Sequence, residues 1–167
     1  MRHGSRGIKI VAMKGIKKVL LGLLVILVII QFIQPARNKS GQAMPNDISK
    51  MVAMPAKVQG ILKKACYDCH SNNTQYPWYA NVQPLNWFLD DHVQSGKAEL
   101  NFNEFGAYTP RRQQSKLRSI ENSLKDGTMP LSSYTLIHRN AILSEAEKMQ
   151  IISWVQISRD SLSKKNF

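Results

Sequence analysis

The chain has 167 residues, with 23 Lys and Arg against 11 Asp and Glu and a net charge of +12. That length suits one small domain with additions. Residues 1–39 carry eight of the basic residues and no acid, so the rest is only mildly basic, at +4; with no basic run interleaved with aromatics, a nucleic-acid groove is excluded as the reason for the charge.

In chain order, residues 1–15 read as a basic cytoplasmic stub. Met13 opens a second basic start of its own, so the true start is Met1 or Met13. Val19 to Ile30 is then aliphatic apart from Gly22; Gln31 interrupts, and Phe32 and Ile33 extend the run. A bilayer span usually takes ~20 apolar residues. This run is short, and snorkelling by Lys17 and Lys18 is what would stretch it. The expectation is one transmembrane anchor or signal anchor over 16–34. The positive flank puts the N-terminus in the cytoplasm and the remainder outside. In a bacterium that means a single pass through the inner membrane with a periplasmic domain. A cleaved signal peptide has the same layout, but the nearest small-x-small site, Gly41-Gln42-Ala43, lies about ten residues past the apolar run.

Residues 35–49 are rich in Pro, Gly, Ser and Asn and read as a linker. The domain proper is expected over 50–160, followed by a tail over 161–167. Pro55 starts a helix in which Val58, Ile61, Leu62 and Ala65 recur at helical spacing and lead into Cys66. Residues 71–82 read as a loop bearing Tyr76, Trp78 and Tyr79. Pro84 opens a second helix with Leu85, Phe88, Leu89, His92 and Val93 on one face and Gly96 as its stop. Residues 99–108 are irregular and aromatic. Thr109-Pro110 caps a third helix that runs to about Lys125, with Leu117, Ile120 and Leu124 inward and Gly127 as its stop. The fourth helix opens on a capping box, Ser144 with Glu147, and turns Ile151, Ile152 and Val155 inward. No strand and no internal repeat is predicted. Four helices joined by long aromatic connections leave room for a large apolar cofactor in the core.

Cys66-Tyr67-Asp68-Cys69-His70 holds both cysteines of the chain. C-x-x-C-H is the attachment sequence of c-type haem. Each thiol adds across one vinyl group, two intervening residues set the sulfurs apart to reach both vinyls, and the histidine that follows supplies a proximal imidazole. Three other readings compete. A thioredoxin-like dithiol belongs beside a βαβ pattern, which is missing. A structural zinc needs four ligands, and there is no second cysteine pair and no ligand spacing among His3, His92 and His138. A disulfide across two residues would close a strained loop. The expected cofactor is therefore one covalent haem c at Cys66 and Cys69, with His70 on the iron.

The second axial position has several candidates. Met129 sits in a loop between two helices, after Gly127 and before Pro130, 59 residues past His70; a methionine opposite histidine raises the reduction potential. It could equally pack against the core. His92, flanked by Asp90 and Asp91, is the alternative, as distal ligand or as a propionate contact. His138 is a third. Trp78, Trp87, Phe88, Phe102 and Tyr134 are candidates for the haem wall, each of which could instead be ordinary core.

The order of these blocks resembles class I cytochromes c. More closely, it is similar to the small haem-binding domain family found on membrane-anchored bacterial proteins. The residues that carry the resemblance are Cys66 through Tyr79, His92-Val93 with Gly96, Leu100-Asn101-Phe102, Met129 through Tyr134, and Leu143-Ser144 with Glu147, and the resemblance covers roughly the domain expected over residues 50–160. The family pattern has Trp where this chain has Phe105. The resemblance implies an all-α, cytochrome c-like bundle of about four helices around haem c, with His70 and Met129 as axial ligands. The expected function is one-electron transfer outside the cytoplasm by a membrane-tethered electron carrier, with an unidentified redox protein as partner. The alternatives are a haem-based sensor or peroxidase-like enzyme with a labile distal ligand, and a haem-free thiol–disulfide protein.

Overall fold

The computed structural model describes residues 5–42 and 44–165. Among them it is all-helical, with no strand beyond one isolated bridge between Lys39 and Asn73. The α-helices are α1 (Ser5–Ile30), α2 (Ile48–Met51), α3 (Ala56–Ala65), α4 (Tyr67–His70), α5 (Leu85–Glu99), α6 (Pro110–Lys125), α7 (Ser132–Ile137) and α8 (Glu145–Lys165). The chain divides into two compact units: Met1–Ala36 with Pro77–Asp90, and Arg37–Tyr76 with Asp91–Phe167.

In the first unit α1 already runs from Ser5, through residues read as a basic stub, and ends at Ile30. The polar residues that interrupt the apolar run have a local role. Gln31 Nε2 donates to the Gln83 carbonyl at 3.2 Å, and the Gln83 N–H donates back to Gln31 Oε1 at 2.9 Å. Gln34 Oε1 accepts from Asn86 Nδ2 at 2.7 Å, and Trp87 Nε1 donates to the Ile33 carbonyl at 2.9 Å. Gln83 and Asn86 are buried, as amides with paired hydrogen bonds can be. The expectation of a transmembrane helix over 16–34 needs correcting at this level. Among the described residues no helix is long and apolar enough to cross a membrane. The helix stops where Gln31 begins this amide clamp, so the uninterrupted apolar stretch is twelve residues against the ~20 a span takes.

In the second unit the long elements fall close to the expected positions. Pro55 precedes α3, and Val58, Ile61, Leu62 and Ala65 are all buried. Thr109 Oγ1 accepts from the Arg112 N–H, capping α6, and Pro110 is its first residue. Gly127, at φ 67°, ends α6 in the left-handed region that glycine tolerates best. The Ser144–Glu147 box is formed, with Glu147 Oε2 accepting from the Ser144 N–H at 2.9 Å. Helix α6 packs along α8. Leu117, Leu124, Ile151, Ile152 and Val155 lie in one buried cluster with Ile48, Leu62, Phe102 and Phe105. Glu121 ties the two helices at their rim, accepting from Lys125 at 2.7 Å, Gln156 at 2.9 Å and Arg159 at 3.2 Å.

Three features depart from the sequence reading. Helix α2 begins inside the stretch read as a linker, with Ile48 fully buried; Asp47 caps it and also accepts from Asn103 Nδ2. Gly96 does not stop α5, which continues to Glu99. Leu85 and Phe88, expected inward, are 49% and 60% exposed, whereas Leu89 and Val93 are buried.

Candidate haem-binding site

Helix α3 ends at Ala65, and Cys66 breaks from helical geometry at φ −129° before the single turn of α4 resumes. The cysteines therefore lie at the two ends of one turn, held by the Cys69 and His70 N–H groups bonding to the Cys66 carbonyl at 3.2 and 2.9 Å. Both thiols are free and half-buried. Burial, with the neighbouring Cys69, pushes the Cys66 thiol up to about 12. Burial, with the Asp68 carboxylate, pushes Cys69 up to about 11. Dithiols that exchange disulfides have depressed values, because the thiolate is the nucleophile. These thiols are shifted in the opposite direction.

His70 Nδ1 lies 3.0 Å from the Leu100 carbonyl oxygen. A carbonyl only accepts, so Nδ1 carries the proton and Nε2 keeps its lone pair. Metal-ligating histidines are commonly oriented in this way by a backbone carbonyl. Burial lowers the His70 pKa, with the Leu100 and Gly96 carbonyls acting in the other direction, so the neutral ring is favoured. The Phe102 ring, buried, meets His70 edge-on at 6.2 Å and stacks on Tyr67 at 4.9 Å. Gly96 faces the same turn: a Cβ there would stand 2.7 Å from the Cys69 carbonyl oxygen.

The segment after the motif is fixed by amides. Asn38 Nδ2 donates to the Ser71 carbonyl at 2.8 Å and to Thr74 Oγ1 at 2.9 Å. The Asn72 N–H donates to Asn103 Oδ1, and Asn101 Nδ2 to Asn72 Oδ1.

Of the other candidates, Met129 lies in the loop between α6 and α7 and is 36% exposed. Tyr134, on α7, donates its hydroxyl to Asp68 Oδ2 at 2.7 Å, inside the cysteine motif. His138 stacks on Tyr134 at 4.3 Å. His92 is half-buried on α5. Trp78, Trp87 and Phe88 belong to the first unit. Sequence reasoning did not find the Leu100 carbonyl, Gly96 as a contact, or Asp68 as a tie. A backbone carbonyl leaves no residue signature. Tyr134 was singled out, but its partner was not.

Two thiols and a neutral imidazole on one turn fit a haem: the donor set is right, and a helix closes against it where no Cβ intervenes. The fold and this site together define a helical haem-binding module. The chain belongs to the haem-binding domain family, which matches residues 25–157. It is also 28% identical over 107 residues to a cytochrome c peroxidase of Escherichia coli, a match that covers 62% of this chain and 23% of that protein. The match thus spans less than a quarter of that relative's length. No solved structure matches the chain.

Proposed function

We propose that this haem-binding protein is a membrane-tethered c-type cytochrome that moves single electrons outside the cytoplasm. In this reading Cys66 and Cys69 would hold one haem through thioether bonds, and His70 and Met129 would be the protein ligands of its iron. The observation that carries it is the 3.0 Å contact between His70 Nδ1 and the Leu100 carbonyl, which frees Nε2 on the same turn as two unpaired thiols. When bound, the haem supplies an iron that accepts and releases one electron. The residues do the rest. Cys66 and Cys69 retain the group in either oxidation state. Leu100 fixes the tautomer of His70. Phe102 keeps water from the ring edge, and Gly96 admits α5 against the turn.

The tether is supported by α1, whose aliphatic side chains from Val19 to Ile29 are all 47–62% exposed. A helix apolar on every side needs an apolar environment, and Lys17 and Lys18 stand where they would meet headgroups. The periplasmic face of a bacterial inner membrane is the matching location for a domain held by such an apolar segment, and a redox protein at that surface is the matching partner.

A second reading, a peroxidase-like enzyme or sensor with a labile distal ligand, is favoured by the exposure of Met129 and by the likeness to a cytochrome c peroxidase. The deciding experiment is an optical spectrum of the purified protein in alkaline pyridine after reduction, with the intact mass measured beside it. Thioether-bound haem gives its characteristic shifted band and an added mass that survives denaturation; a bare polypeptide mass after maturation in the periplasm sinks the proposal. Carbon monoxide uptake by the resting ferrous protein decides between the two readings.

A further inference from the structure

Asp68 stands between the two cysteines and reaches two other segments. Its Oδ1 accepts from the Gln75 N–H at 3.0 Å, and its Oδ2 accepts from the Tyr134 hydroxyl at 2.7 Å. Its own carbonyl accepts from Thr74 Oγ1 at 2.6 Å. The turn that bears the thiols is therefore joined directly to α7, five residues past Met129. At the other end of that loop, the Thr128 and Met129 N–H groups both reach the Ser123 carbonyl, at 3.1 and 3.3 Å. The loop is thus fixed at its start by the end of α6 and at its far side by Tyr134.

We propose that Asp68 and Tyr134 are a positioning pair, a latch that registers the Met129 loop against the cysteine turn and sets how readily Met129 would be released as a haem ligand. This rests on the haem ligation proposed above. A hydrogen bond to an ionised carboxylate is shorter and about twice as strong as one between neutral groups. Met129 is otherwise on an exposed loop, where few apolar contacts restrain motion. The Tyr134 ring also stacks on His138 and packs against the core. Tyr134→Phe therefore keeps these ring contacts and takes away the hydroxyl's bond to Asp68.

The test uses the full-length, haem-loaded protein and the variants Tyr134→Phe, Asp68→Ala and the double variant, each checked by intact mass for its haem. Amide hydrogen exchange is read in peptides covering 126–137, and carbon monoxide uptake is read in the ferrous form. The expected result is an increase of about tenfold or more in exchange at Thr128 and Met129, with a parallel rise in carbon monoxide uptake. The double variant is expected to be no worse than Asp68→Ala alone, which already loses the bonds to both Tyr134 and the Gln75 N–H. Exchange unchanged in both single variants overturns the latch, and so does a double variant whose effects add. If the unaltered protein takes up carbon monoxide as fast as Met129→Ala, the ligation by Met129 fails. The exchange data then still decide the latch, raised exchange supporting it and unchanged exchange overturning it.

Discussion

Gly96 lies so close to Cys69 that a Cβ on it would stand 2.7 Å from the Cys69 carbonyl oxygen and 3.0 Å from the Cys69 Cβ. The obstruction is the backbone of the cysteine turn, so no flexible side-chain end can swing aside. Alanine normally gains about 1 kcal/mol over glycine inside a helix. Here overpacking opposes that gain, at about 1–3 kcal/mol. Gly96→Ala is expected to lower the thermal midpoint of the haem-loaded protein and reduce the fraction that acquires haem. A midpoint at or above that of the parent would show that the turn yields.

Gly96 also shows where the sequence misleads. Glycine after an apolar stripe reads as a helix stop, and glycine at a close contact looks the same in sequence; only the neighbouring backbone separates them. The long helices were legible because their caps are local: Thr109 with Pro110, and Ser144 with Glu147, each act within three residues. Helices α2 and α7, of four and six residues, are too short to show a period and depend on distant anchors, Asp47 to Asn103 and Tyr134 to Asp68. The stripe of α5 identified residues sharing a face, but a stripe does not say what covers them, and Leu85 and Phe88 are exposed. At the site, the cysteines and His70 were legible as a motif, whereas the Leu100 carbonyl that orients His70 was not.

Phe102 joins the core to the site, being buried while touching both Tyr67 and His70. Phe102→Ala removes a ring from a packed cluster, at an expected cost of about 3–5 kcal/mol. Urea unfolding of the haem-loaded protein measures it. Phe102→Leu, which keeps most of the volume, is expected to recover more than half of the loss. Equal losses in the two variants would point to the ring contacts with Tyr67 and His70, and not the ring's volume, as the determinant.

Glu147 predicts an acid-dependent contribution. Its bond with Lys64, helped by the Ser144 N–H, holds its carboxyl down to about 2 from the ordinary 4.5. A folded-state value below the unfolded one adds stability above the unfolded pKa, and that stability is lost as pH falls through the folded value. Glu147→Gln keeps the capping box and removes only the charge. The variant is therefore expected to unfold at lower urea than the parent near neutral pH. The gap closes between about pH 4.5 and 2 and is gone below that. The pair is partly exposed, so added salt is expected to narrow the gap as well. A gap independent of pH would assign the effect to packing and not to charge.

Met129→Ala tests which residue is the distal ligand with little structural cost. The side chain is 36% exposed, and substitutions at such places usually stay within about 0.5–1 kcal/mol. If Met129 is the distal ligand, the ferric spectrum loses its methionine–iron charge-transfer band and the ferrous form binds carbon monoxide. The reduction potential then falls by on the order of 0.1 V, a modest part of the ~0.8 V that axial ligands govern. His92→Ala, made alongside, is expected to leave all three unchanged. A reversed pattern, with the band and potential altered only in the His92 variant, would move the distal position to α5 and leave the loop before α7 with a packing role.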